Sequence, residues 1–327
     1  MSAPKMTARE WGLLLFLSLL WGGAFFFAGL SLKELTPHAL AFFRLLVAAL
    51  TLGAIALILR LPMPRGAAFW GRLALLSLFS TAIPFTLLYW AQTHIASGLA
   101  AILNAMTPIF TILVAHFFTR DEKVDAQRLL GVFAGLGGVA VIVGPSALSH
   151  QGGHLLAEAA VLAAGFCYAI ASVYGRRFSG HPPVTICFAQ MVCGAVFLLP
   201  VMLLSGAPLR VPVPSLAVIA AVLALGIFST GLAFVMFFRI LARAGATNAM
   251  LVTLLVPASA IFLGVMILGE TIAPRQFAGL TLIALGLIIN DGRPLEYLLR
   301  AAQWLRQRPD VSGPTGAPML NEPHHSQ

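Results

Sequence analysis

Four polar side chains lie where an apolar chain pays heavily for polarity. Arg44 is the one basic residue well inside an apolar run, Gln190 sits in the middle of another, and Asn104 and Thr253 each precede a proline, Pro108 and Pro257, by one helical turn. A guanidinium at the centre of a bilayer costs about 2.5–3.5 kcal/mol on insertion scales. At 1.5 Å per residue Arg44 lies about 9 Å from the nearer end of its run, which lowers that cost. Its charge either reaches outward to the interface or faces an interior cavity and attracts a carboxylate. Asn104 and Thr253 have two comparable uses, hydrogen bonding to a polar solute or bridging two helices. Gln190 must face inward. Pro108 and Pro257 each remove a backbone hydrogen bond in mid-run, so they either line a central site or bend their helices. Trp21 and Tyr168, both mid-run, suit a cavity wall. Tyr89, Trp90 and Tyr174 lie near run ends and read as interfacial anchors, and Asn248 reads as a helix cap.

Other chemistry is missing from the chain. It holds no His-Glu-x-x-His helix, no nucleophilic serine with a histidine partner and no pair of deep aspartates, so an intramembrane enzyme is the weaker reading. Cys167, Cys187 and Cys193 lie in apolar stretches without metal-ligand spacing and read as packing residues. His150 and His154 would share a metal only if their loop were helical. No metal and no cofactor is expected. The glycines of 135–138 follow no strand and make no nucleotide loop, whereas Gly131 and Gly135 form a face on which helices approach closely. No acidic residue is deep in any apolar run. Glu158, the nearest, sits near a run end where the helix dipole already favours it. A midplane carboxylate relay is therefore lacking, which favours a facilitator or exchanger over a proton-driven pump.

Composition dictates the elements that hold these residues. Of 327 residues 59% are hydrophobic and 9% charged, against about a quarter charged in a soluble domain. The apolar surface must face lipid. A net charge of +9 suggests nucleic acid at first, but the basic residues are spread between apolar blocks, so no nucleic-acid partner is expected. Runs of about 20 apolar residues cross a bilayer, and they are expected at 11–30, 39–59, 73–90, 97–118, 129–144, 155–174, 184–204, 216–238, 246–268 and 277–289. The first run is too long for a leader peptide. With the N-terminus in the cytoplasm, only Lys33, Arg210 and Arg275 fall outside, Arg44 lies within a span, and every other Lys and Arg falls inside. The positive-inside rule thus puts both termini in the cytoplasm.

A shift of 149 residues brings the two halves into register. Phe79-Ser80-Thr81 falls on Phe228-Ser229-Thr230, Phe85 on Phe234, Pro108 on Pro257, Asn104 on Thr253, Asp121 on Glu270 and Gln127 on Gln276. After a one-residue gap Gly131 and Gly138 fall on Gly279 and Gly286, and Trp21 meets Tyr168 at a shift of 147. Five spans per half is an odd number, so the halves must be inverted. The expected fold class is an all-α membrane protein of ten transmembrane helices in two inverted five-helix repeats. A cytoplasmic N-terminus covers 1–10, the repeats 11–144 and 155–290, and a cytoplasmic tail 291–327. The tail is expected to form an interfacial helix over 294–306 and to be disordered from Pro309. Inverted repeats with matched helix breaks are a transporter signature; a non-transporting scaffold has no need of them.

Several residues carry a family resemblance: Leu19-Leu20-Trp21-Gly22, Arg44 in AFFRLLVAAL, ILNAMTPIFTILVAHFF followed by an acidic residue and Gln127, and LLVPASAIFLGVMILGE in the second half. Together they resemble the drug/metabolite transporter superfamily, EamA type, over roughly 11–290. One departure is TRDEK after the fourth span, where the family commonly has a Gly-Glu pair such as Gly269-Glu270. The resemblance implies an inner-membrane carrier of small polar metabolites, most naturally an amino-acid-type exporter working by alternating access, with a drug, nucleoside or vitamin as the alternative cargo. Its partners are then a small solute and the lipid bilayer. The cavity residues expected are Trp21, Arg44, Asn104, Pro108, Tyr168, Gln190, Thr253 and Pro257.

Overall fold

A computed structural model describes residues 6–63, 65–95, 97–143, 155–205, 214–268 and 274–291. Among them the chain is helical and contains no strand. The helices are α1 (Ala8–Ser31), α2 (Pro37–Ile58), α3 (Ala67–Gln92), α4 (Ser97–Asn104), α5 (Thr107–Phe118), α6 (Ala126–Val143), α7 (Leu155–Gly175), α8 (Pro183–Leu204), α9 (Leu216–Met250), α10 (Val252–Leu268) and α11 (Pro274–Asp291). Six helices, or helices with their flanking turns, are long and apolar enough to cross a membrane: α1, α2, α3, α7, α8 and α9. Shorter apolar helices accompany them. The expected tail helix at 294–306, the disorder from Pro309 and the pair His150 and His154 lie outside the described residues.

Helix starts follow local chemistry. Pro37 opens α2 behind Thr36, whose hydroxyl accepts from the Ala39 N–H at 3.3 Å. Ser215 caps α9 and itself donates through N–H and hydroxyl to Glu34, both at 2.7 Å. At the other end of α1, Glu10 accepts from the Thr7 N–H at 3.1 Å and from Arg243 at 3.3 Å, so an N-terminal acid meets a helix of the distant half.

The fourth expected span is two helices. It breaks at Ala105 and Met106, and Pro108 is the second residue of α5. That is where a missing N–H costs least, so Pro108 begins a helix and does not kink one in its middle. Pro257 does lie inside α10. The expected eighth and ninth spans also differ: the helical ladder runs on through α9 to Met250, interrupted at Gly245, whose φ of 84° is open to glycine and strained for other residues.

Packing crosses between the two halves. α6 lies against α11 so closely that a Cβ on Gly131 would stand 2.7 Å from the Gly286 carbonyl oxygen, and one on Gly138 2.5 Å from that of Gly279. Gly135 also lies in this contact, its N–H nitrogen 2.6 Å from where a Cβ on Gly286 would stand, and it meets the Leu254 side chain as well. α2 packs on α8, and α1 on α10 through a 2.7 Å bond between the Ser18 and Ser259 hydroxyls. Outward faces are apolar. Phe118 is 80% exposed, Leu204 88% and Leu216 82%, a surface that water would not tolerate and lipid does.

Candidate solute cavity

The polar centre is built on two stretches of π-helix. Leu78–Ala82 interrupts α3 and Ile227–Leu232 interrupts α9, and each holds one copy of the Phe-Ser-Thr triplet. A π turn shifts the ladder and frees carbonyls that a helix in lipid must satisfy elsewhere. In α9 the Ser229 carbonyl accepts from the Trp21 indole N–H and from Arg44 Nη2, both at 3.1 Å. The Thr230 hydroxyl donates to the Leu225 carbonyl at 2.7 Å and accepts from Arg44 Nε at 2.5 Å. The Ser229 hydroxyl returns to the Leu20 carbonyl at 2.8 Å. Thus α1 and α2 are fastened to the bulge of α9.

The bulge in α3 receives Gln190 of α8. Gln190 Nε2 donates to the Ser80 hydroxyl at 2.6 Å, and the Ser77 hydroxyl donates to the Gln190 carbonyl at 2.7 Å. Gln190 is fully buried and its Oε1 has no partner.

Arg44 is 7% exposed. Its third bond, from Nη1, goes to the Tyr89 hydroxyl at 2.5 Å, and its guanidinium carbon stands 4.2 Å from the centre of the Phe85 ring. A guanidinium has five N–H donors, and these bonds use three. No carboxylate pairs with it among the described residues. The charge is held by neutral oxygens and an aromatic face, an arrangement that leaves it able to take an anion.

Around Arg44 is a small cavity of about 100 Å³, a concave site lined by apolar surface and a few convergent polar groups. Its walls are mainly apolar, aromatic and aliphatic in similar number, and its polar lining is Arg44, Ser80, Gln92, Asn104 and Ser172 with the hydroxyls of Tyr89 and Tyr168. The Trp21 ring lies 6.1 Å from Phe234 and 5.8 Å from Phe237, and Phe234 meets Phe85 at 6.5 Å. Asn104 and Gln92 belong to this lining, and their side-chain oxygens are buried without partners.

Of the eight residues expected at the site, Trp21, Arg44, Asn104 and Tyr168 line the cavity. Gln190 stands one side chain behind it, through Ser80. Pro108, Thr253 and Pro257 are not among its described lining residues. The Thr253 hydroxyl donates to the Met250 carbonyl at 2.9 Å, as that of Thr107 donates to the Asn104 carbonyl at 2.6 Å. Thr253 thus bonds across a helix break as Thr107 does. Asn248 donates to the Ala244 carbonyl at 2.9 Å within α9. Tyr89, expected as an interfacial anchor, is 2% exposed and holds Arg44. Its spacing of four from Phe85 was the available signal, since both then share a helix face with the Ser-Thr of the bulge. Cys167 and Cys187 are buried packing residues, and no metal-holding cluster occurs among the described residues.

A second cluster lies away from the cavity. Glu122, 2% exposed, accepts from the N–H groups of Ala246 and Thr247 at 2.8 Å each, beside the turn at Gly245. Arg176 stands 2.9 Å from Glu122 and is bidentate to Asp121 at 2.5 and 3.0 Å. That hydrogen bonding holds the Asp121 carboxyl below its usual range, partly offset by burial. The departure seen in TRDEK is thus a latch from the loop after α5 to α7 and α9.

With this geometry in view, the relatives are informative. The EamA-like transporter family matches residues 10–144 and again 155–290. An uncharacterized transporter of Archaeoglobus fulgidus is 28% identical over 86% of this chain and 98% of its own. A protein of Salmonella typhimurium named a probable amino-acid metabolite efflux pump is 27% identical over 87% and 95%. A crystal structure at 18% identity covers 87% of this chain and 98% of its own with a TM-score of 0.70, a likeness of fold. The chain belongs to the EamA-like transporter family, within the drug/metabolite transporter superfamily. It is a multi-pass membrane transporter.

Proposed function

We propose that this transporter carries amino-acid-type solutes outward across a bacterial inner membrane by alternating access, its ten spans forming two inverted five-helix halves, 11–144 and 155–290, with both termini cytoplasmic. The observation that carries the cargo is Arg44: buried, free of a carboxylate partner among the described residues, and set in an apolar cavity. A solute carboxylate would take its remaining N–H donors bidentately. The unpartnered oxygens of Asn104 and Gln92 would accept from the solute's ammonium, and the aromatic walls would take an apolar side chain.

The crossed packing supports inverted halves. Gly131 meets Gly286 while Gly138 meets Gly279, so equivalent residues exchange partners, as a two-fold relation requires. Arg44 reaches the bulge of the other half and Gln190 reaches the bulge of the first. The distribution of Lys and Arg supports the orientation. The site residues of this reading are Trp21, Arg44, Tyr89, Asn104 and Tyr168, with Gln190 behind them; Pro108 and Thr253 stand at helix breaks, and Pro257 lies inside α10.

Counterflow in proteoliposomes tests it. Free amino acids should exchange and their methyl esters should not, because the ester removes the anion and keeps the rest. Equal exchange of acid and ester would reject the carboxylate reading. Phosphatase fusions should be active near His94, Ser149, Gly206 or Arg275 and silent after Arg293; activity there would reject the ten-span orientation.

A further inference from the structure

The surface between α5 and α7 carries an open groove that the solute pathway does not use. Its walls are apolar, from Val114 and Phe118 on one side and Phe166, Ile170 and Val173 on the other. Phe118 is 80% exposed and Phe166 47%, so the described residues leave much of both rings uncovered, although Phe110 meets the edge of Phe166. One end of the groove is basic. Arg120 follows α5 by two residues and Arg177 follows α7 by two, so both guanidiniums stand where these apolar helices leave the hydrocarbon.

The charges at that end are unequal in availability. Arg176 is taken by Asp121 and Glu122, and Glu122 is turned to the backbone N–H groups of Ala246 and Thr247. Arg120 and Arg177 have no carboxylate partner among the described residues. Arg177 is preset against the Tyr174 ring, its guanidinium carbon 5.2 Å from the centroid. Two free guanidiniums at the head of an apolar groove match a phosphate attached to acyl chains.

We propose that this groove binds one anionic phospholipid, its phosphate between Arg120 and Arg177 and an acyl chain along Phe118 and Phe166. The inference requires that α5 and α7 cross the bilayer, and it holds whatever solute the cavity carries. The latch residues Asp121 and Arg176 form the groove's inner rim, so a bound headgroup lies against the contact that ties the loop after α5 to α7.

Native mass spectrometry of the full chain, titrated with phosphatidylglycerol or phosphatidylcholine, is the test. The wild type should bind one phosphatidylglycerol at least about tenfold more tightly than phosphatidylcholine. Arg120→Gln with Arg177→Gln should abolish that preference, whereas Arg65→Ala with Arg72→Ala, an equal loss of charge elsewhere, should keep it. If the double variant does not fold, the wild type alone decides: phosphatidylglycerol, and not phosphatidylcholine, should raise its melting temperature in detergent. Equal binding of the two lipids would overturn the proposal. So would full displacement by inorganic phosphate, which would mark a free-anion site, or a dimer whose formation removes the lipid preference.

Discussion

The two π bulges carry the same three residues and hold different guests. In α9 the bulge of Phe228-Ser229-Thr230 receives a guanidinium from α2; in α3 that of Phe79-Ser80-Thr81 receives an amide from α8. The frame is shared and the charge is not. Gln190 is fully buried and meets only protein, while Arg44 reaches the cavity with donors to spare. Repetition of sequence thus supplies two equivalent cradles, and one substitution between them decides which is polar support and which can hold an anion.

The comparison breaks most sharply at Arg44. Arg44→Gln, which makes the second cradle resemble the first, should lower transport of a free amino acid at least about 100-fold, since it removes a charge-assisted bidentate contact from a dry site. Arg44→Lys should restore part of it. Transport within about twofold of wild type in proteoliposomes would remove Arg44 from the site. Asn104→Leu, which keeps bulk and removes donor and acceptor, should reduce transport about tenfold through KM, the loss expected for one unmade hydrogen bond. Cysteines at 104 and 253 sharpen the placement: solute should protect the first from thiol reagents and leave the second, which faces its own helix break, unaffected.

Gly245→Ala tests the latch against both bulges. The new Cβ would sit 2.4 Å from Glu122 Oε1 at a φ of 84°. Strain of about 1–3 kcal/mol is expected, read as a lower melting temperature. Gln190→Leu should cost about 1 kcal/mol and change transport less than threefold, because Ser80 keeps its bond to the Leu76 carbonyl and Ser77 its bond to backbone. A loss like that of Arg44→Gln would make the two cradles functionally alike. The smallest effect concerns pH. The Asp121 carboxyl is depressed below the ordinary aspartate value of about 3.9 by the Arg176 hydrogen bonds. Its contribution is therefore full above that value and lost as pH falls through the lower folded one. The melting temperature should drop below about pH 4, and Asp121→Asn should remove that drop.

Much of this is legible in the sequence. Apolar runs are local facts, so helix positions could be read to within a few residues, and the cost of a buried guanidinium marked Arg44. The repeated triplet was visible as a match, although nothing in three residues says that a ladder will widen to i+5 there. Tyr89 was misread because nearness to a run end is a one-dimensional measure, and α3 extends beyond the expected span to Gln92. Pro108 was read as a mid-helix break since the sequence does not show that the chain stops helix at Ala105 and restarts behind it.

By itself, the sequence determined the solvent and the periodicity. With 9% charge the chain must lie in lipid, where backbone groups bond within helices, and its matched prolines, glycines and triplets required two similar halves. Which donor meets which acceptor was decided only in the tertiary structure. Arg44 and Thr230 are 186 residues apart, Gln190 and Ser80 110, and Glu122 and Ala246 124. Such pairs depend on the crossing of whole helices, which is set by the summed packing of many apolar side chains and encoded in no local motif.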